Sequence, residues 1–115
     1  MVGIDLVFIP RIEEIYNKLG IRFLKRFLNT SEIQLLESKK FNPKSIAGFW
    51  ASKEAVSKAL GCGIGENLSF KDIEIYYSKL GAPLVKIIDS KFKNENLNIS
   101  ISHDKDYAIA IAIKQ

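Results

Sequence analysis

Cysteine is nearly absent. Cys62 is the only one in 115 residues, which excludes an internal disulfide and any zinc site built from several cysteines. Long apolar runs are missing as well. The longest stretch near the C-terminus, Tyr107 to Ile113, is far shorter than the roughly 20 residues that cross a bilayer. The opening Met1-Val2-Gly3-Ile4-Asp5 has no basic leader and is interrupted by Asp5. It makes a poor signal peptide, so the cytoplasm is the expected compartment, with no membrane partner. No internal repeat, low-complexity tract or linker divides the chain. No RNA- or DNA-binding fingerprint is present, so no nucleic-acid partner is expected. Charge leans only slightly to one sign, with 17 Lys and Arg against 13 Asp and Glu, a net +4. That favours an anionic partner, and charge alone does not choose among nucleic acid, phosphorylated small molecules and acidic proteins.

What is present is an ordinary globular composition, 47% hydrophobic and 26% charged, at a length that suits one domain over 1–115. The first half reads helical and the second extended. Val2 to Phe8 is a β-rich run. Pro10 opens a helix in which Ile12, Ile15, Tyr16 and Leu19 keep helical spacing up to Gly20. Ile21 to Leu28 interleaves Phe23, Leu24, Phe27 and Leu28 with Arg22, Lys25 and Arg26. Thr30 is the expected N-cap of a helix running to about Lys39 and ended by Asn42-Pro43. A longer helix is expected from about Ser45 to Leu60, with Ala47, Ala51, Ala55 and Ala59 as a thin face for close packing. Gly61-Cys62-Gly63-Ile64-Gly65 ends it. Four strands follow, carried by Ile73 to Tyr77, Leu84 to Ile88, Leu97 to Ile101 and Tyr107 to Ile113. Short turns between them predict an antiparallel sheet, and the fold class is α+β with helices on one face of that sheet.

Few residues offer chemistry. Asp5 lies in an apolar strand, where a carboxylate is costly unless paired, exposed or metal-bound. Taken alone it reads as a strand-end aspartate facing water. Glu54 and Lys58 are four apart and make a helical ion pair in the bland reading. His103, within Ile101-Ser102-His103-Asp104, is a lone histidine whose neighbours do not form a triad. Two separated carboxylates, a lysine pair and a histidine suggest Mg2+ with a phosphate ester, because Mg2+ uses one or two carboxylates plus substrate phosphates and water.

The motifs together resemble one family, the holo-acyl-carrier-protein synthases, which are short 4′-phosphopantetheinyl transferases. Gly3-Ile4-Asp5 with Arg11-Ile12 resembles its opening motif, and Lys25-Arg26-Phe27-Leu28 followed by Glu32 its next block. Trp50-Ala51-Ser52-Lys53-Glu54-Ala55 followed by Lys58-Ala59-Leu60-Gly61-Cys62-Gly63-Ile64 resembles its signature helix and loop. Gly81-Ala82-Pro83 resembles its Gly-x-Pro turn, and Ile101-Ser102-His103-Asp104 with Tyr107-Ala108 its closing motif. The likeness spans essentially the whole chain, in order.

The resemblance implies transfer of the phosphopantetheine arm of coenzyme A to a serine of apo-acyl carrier protein in fatty acid biosynthesis, leaving adenosine 3′,5′-bisphosphate. It implies Mg2+ on Asp5 and Glu54, with Lys53 and Lys58 at the phosphates. It also implies a coenzyme A site lined by Gly61, Gly63, Gly81, Pro83 and His103. For the serine proton it leaves Glu54 and water open as acceptors. Arg11, Arg22, Lys25 and Arg26 match the surface that meets the acidic carrier, and a homotrimer with interfacial sites is implied. One departure is Phe49, where many relatives carry a basic residue; Lys39, Lys40 or Lys44 stand just upstream. Two readings compete. One is a non-enzymatic basic binding module built on the Arg22–Arg26 segment. The other is a transferase acting on carrier domains of a secondary-metabolite synthase.

Overall fold

The computed structural model describes all residues from Met1 to Gln115. Its first strand, β1 (Val2–Phe8), runs directly into helix α1 (Ile9–Leu19), with Pro10 in the first turn where its missing N–H costs nothing. Gly20 ends α1 in a left-handed conformation (φ 58°) and allows α2 (Ile21–Phe27) to start at once. Helix α3 spans Thr30–Ser38. Its N-cap is Asn29 rather than Thr30, because Glu32 reaches back to accept from the Asn29 N–H at 2.7 Å. Asn42-Pro43 opens the next helix instead of closing α3. The Asn42 side chain accepts from the Lys44 N–H at 2.9 Å, and α4 runs Pro43–Ala59. A single 3-10 turn (Phe70–Asp72) leads into β2 (Ile73–Tyr77), followed by β3 (Pro83–Ile87), β4 (Leu97–Asp104) and β5 (Tyr107–Lys114).

The fold is α+β and all pairings are antiparallel, but the strands form two sheets, not one. β2 and β3 make a hairpin of their own. The larger sheet has the order β1-β5-β4, so the N-terminal strand pairs with the C-terminal one, Val2 opposite Ile113 through Phe8 opposite Tyr107.

Helix α4 lies across this sheet, small face to small face. Ala47, Ala51, Ala55 and Ala59 are fully buried, as are Ala108 and Ala112 of β5. The bulky alternate residues of β1 and β5 point the other way. Val2, Ile4, Leu6, Phe8, Tyr107, Ile109 and Ile113 are all exposed. Thin faces let the helix axis sit close to the sheet, and at Gly3 the approach is closest. A methyl there would overlap the Ala55 carbonyl oxygen, so only glycine fits. On the other side of α4, Phe23, Phe27, Trp50 and Phe70 form an aromatic cluster with centroids 4.8 to 6.0 Å apart.

Candidate functional site

The inner row of β1 is Gly3, Asp5, Val7. Because Gly3 lets this strand press on α4, Asp5 two residues later is brought to the same helix. Lys58 donates to Asp5 Oδ1 at 3.0 Å and to the Ile4 carbonyl at 3.0 Å. The expected Glu54–Lys58 helical pair is therefore not made; Lys58 reaches across to the strand. The Asp5 side chain is only 16% exposed, so this pair is partly shielded.

Glu54 is left without an ion-pair partner beside Asp5. Its carboxyl is held above the ordinary carboxylate range, first by burial and then by the Asp5 charge, with Lys58 opposing. Both carboxylates open onto a cavity of about 390 Å3 walled by Arg11, Phe8, Phe23 and Trp50. No group of three or more His, Cys, Asp or Glu side chains gathers in the chain. Two carboxylates would thus supply part of a cation's shell, and substrate or solvent oxygens the rest.

A second cavity, of about 160 Å3, lies where α4 begins, lined by Lys39, Ser45, Phe49, Tyr77, Pro83 and His103. His103 Nε2 lies 2.9 Å from the Lys44 carbonyl. A carbonyl only accepts, so Nε2 carries the proton and Nδ1 is left as an acceptor. Lys39 donates to the Tyr77 hydroxyl at 3.0 Å, with its ammonium 4.2 Å from the ring centroid. Phe49 is buried at 1% exposure, its ring 6.1 Å from that of Tyr77. Of the three upstream lysines, Lys39 is the one whose side chain lines this cavity beside Phe49.

The remaining candidates divide. Arg11 belongs to the carboxylate cavity. Arg22, Lys25 and Arg26 are all exposed on α2 while Phe23, Leu24 and Phe27 face the core. Gly61 and Gly63 take positive φ (80° and 68°) and cap α4, their N–H groups donating to Lys58 and Ser57 carbonyls. They line neither cavity, and Gly61 rests near Met1. Gly81, at the exposed hairpin turn with φ 89°, also lines neither. Lys53 is the clearest correction. It is fully buried, and its ammonium donates to Glu32 Oε1 at 2.7 Å and to the Phe27 and Phe70 carbonyls at 2.8 and 3.0 Å. One residue along a helix is a turn of about 100°. That rotation puts Glu54 at the cavity and Lys53 in the core, where it lines neither cavity. Sequence reasoning missed Glu32 as its partner, although Glu32 three residues after Asn29 carried a capping signal. It also missed Tyr77 and Trp50 as cavity walls.

Residues 1–112 match the model of the 4′-phosphopantetheinyl transferase superfamily. The chain is 49% identical over 116 residues to a holo-acyl-carrier-protein synthase of Campylobacter fetus, covering 98% of this chain and 97% of that protein. Its fold is similar to the crystal structure of the Helicobacter pylori holo-acyl-carrier-protein synthase in complex with coenzyme A, with a TM-score of 0.89, 48% identity and full coverage of both chains. A Bacillus anthracis synthase structure with coenzyme A (3′,5′-ADP) is similar at TM-score 0.83 and 34% identity, over 98% of this chain and 93% of that one.

Proposed function

The chain belongs to the holo-acyl-carrier-protein synthases of the 4′-phosphopantetheinyl transferase superfamily, and we propose that its Asp5–Glu54 cavity is where the transfer takes place. The enzyme moves 4′-phosphopantetheine from coenzyme A to a serine hydroxyl of apo-acyl carrier protein. The serine oxygen forms a new bond to the phosphorus that bears the pantetheine arm. The bond from that phosphorus to adenosine 3′,5′-bisphosphate breaks.

The observation that carries the assignment is Glu54, a carboxylate with no partner, set beside Asp5 at the rim of a cavity. Two hard oxygen ligands in mutual repulsion fit a divalent cation, and we assign Mg2+ to Asp5 and Glu54. When bound, the metal neutralises charge on the pyrophosphate as it becomes a leaving group. Lys58, already held at Asp5, keeps a fixed positive charge at the same place. Glu54 holds its proton more tightly than a free carboxylate in the metal-free chain, and ionises to take up the cation. Phe23 and Trp50 exclude water from one side of the cavity. The second cavity, with Lys39, His103 and Pro83, is assigned to the nucleotide end of coenzyme A. Lys39 there stands in for the charge that Phe49 lacks.

Arg11, at the cavity mouth, and Arg22, Lys25 and Arg26 on α2 are assigned to the acidic carrier, whose encounter they would steer. A homotrimer with sites between subunits is proposed on the outer sheet face. There Ile4, Leu6, Tyr107, Ile109 and Ile113 form an exposed apolar surface of the kind that marks subunit contacts. No helix is long and apolar enough to cross a membrane, and the reaction is assigned to the cytoplasm in fatty acid biosynthesis.

The test is intact mass spectrometry of a fatty-acid apo-carrier incubated with the enzyme, coenzyme A and Mg2+, beside an EDTA control. A gain of one phosphopantetheinyl group, absent with EDTA, is expected. The same gain in EDTA overturns the metal assignment. A gain only on a secondary-metabolite carrier overturns the pathway.

A further inference from the structure

Lys53 and Glu32 are two charged side chains buried out of reach of any substrate, and the reaction proposed above uses neither. All three ammonium protons of Lys53 are spent, on Glu32 and on the carbonyls of Phe27 and Phe70. Glu32 Oε1 also accepts from Asn29 N–H at 2.7 Å, and Oε2 from Ile75 N–H at 2.8 Å. A buried ion pair is a poor source of net stability compared with well-packed apolar groups. This one also reaches two backbone carbonyls. The two carbonyls it grips belong to Phe27 and Phe70, and it is their rings that hold Trp50, at 5.0 and 4.8 Å between centroids. Trp50 and Phe23, 6.0 Å apart, form a wall of the carboxylate cavity. Phe27 is also the last residue of α2, the helix that carries Arg22, Lys25 and Arg26. Lys53 thus ties the end of α2 and the turn before β2 to the helix that carries Glu54.

We propose that the Lys53–Glu32 pair is a positioning device for the known reaction: it fixes the backbones of Phe27 and Phe70 so that Trp50 walls the carboxylate cavity and α2 presents its cations beside it. This rests on the reading of that cavity as the transfer site. Loss of the pair should loosen the wall and weaken productive docking of the carrier even where the fold survives.

Trp50 is the only tryptophan in the chain, so its fluorescence reports on the wall directly. Four proteins would be compared below their melting temperatures: wild type, Lys53→Met, the neutral double variant Lys53→Met with Glu32→Gln, and Phe70→Leu. The double variant removes the uncompensated charge that Lys53→Met leaves, so its melting temperature should recover toward wild type. Its Trp50 emission should stay red-shifted and easier to quench with acrylamide. Its kcat/KM for apo-carrier should stay down about tenfold, the equivalent of about 1.4 kcal/mol. Coenzyme A binding, measured by calorimetry, should be unchanged. Phe70→Leu keeps the carbonyl that Lys53 grips and removes the ring, so it should reproduce the quenching and the kinetic loss without the folding defect. Recovery of quenching and kcat/KM together with melting temperature in the double variant would overturn the proposal. So would a Phe70→Leu variant with wild-type quenching and kinetics. If the wild type modifies no carrier, the assigned reaction fails instead, and the quenching comparison still tests the wall.

Discussion

Lys53 and Glu54 are neighbours on one helix, and each looks toward a carboxylate, Lys53 toward one of opposite charge and Glu54 toward one of its own sign. Lys53 faces Glu32 in a closed pair, fully buried, with every proton and both carboxylate oxygens engaged. Glu54 faces Asp5 in an open pair of like charges, with Lys58 satisfying Asp5 alone. The closed pair has nothing left to offer a ligand, because a buried polar group is tolerated only once its bonds are made. The open pair stores an unmet demand for positive charge at a cavity. Chemistry is found where satisfaction is incomplete, and on α4 about 100° of rotation separates the two conditions.

The hardest blow to the closed side is Lys53→Met, which strands Glu32 in the core. Breaking a buried pair costs about 3–5 kcal/mol, so the melting temperature should fall by about 10–20 °C in a circular-dichroism melt. A fall of a degree or two would mean that the pair is not closed in solution. On the open side, Glu54→Gln should cut transfer about 10²–10³-fold, the scale of losing one electrostatic contact to the transition state. It removes a like-charge repulsion, so the melting temperature should hold or rise. A large loss of stability there would erase the contrast between the two sites.

Gly3→Ala bears on how the open pair is assembled. Its methyl must push β1 off Ala55, costing about 1–3 kcal/mol, and should move Asp5 away from Glu54. Transfer should fall more than stability does, as steady-state rates on folded protein would reveal.

A smaller effect is pH dependence. In the metal-free protein the Glu54 proton is held more tightly in the native chain than in the unfolded one, where the ordinary value is 4.5. Between 4.5 and the raised native value the native state binds more protons, so stability falls as pH rises through that window. Asp5→Asn removes the second-largest cause of the shift and should flatten this slope in denaturant titrations at stepped pH. The smallest effect belongs to the exposed cations. Arg22→Gln, Lys25→Gln and Arg26→Gln should each weaken carrier binding by less than about 1 kcal/mol, mainly through association rate and only at low salt in stopped-flow mixing.

Much of this was legible in residue order. Periodicity marked β1, α1 to α4 and the later strands to within a few residues, because each signal is local. Asp5 declared itself as a carboxylate in an apolar strand, and Glu54 as part of a distinctive helix motif. The division into two sheets was not legible, because β1 pairs with β5 from the opposite end of the chain, and short turns between later strands say nothing about that partner. Nor was the choice of small over large residues for the inner face of β5, since alternation marks two faces without saying which is inside. Lys58 was read toward Glu54 on spacing, and the structure turned it to Asp5 because the strand carboxylate lies within reach. Lys53 was read toward phosphate on the family resemblance, and the structure places it in a buried pair with Glu32.

By itself, the sequence determined the elements, the α+β class and the basic residues of α2, which depend on local spacing and residue chemistry. Asp5 and Glu54 were joined as candidate ligands by the family resemblance. The tertiary structure alone decided which face of α4 meets β1, which lysine closes a buried pair and which carboxylate stays open. Those depend on the rotation of one helix against a distant strand, and Gly3 permits that contact only because it has no side chain to prevent it.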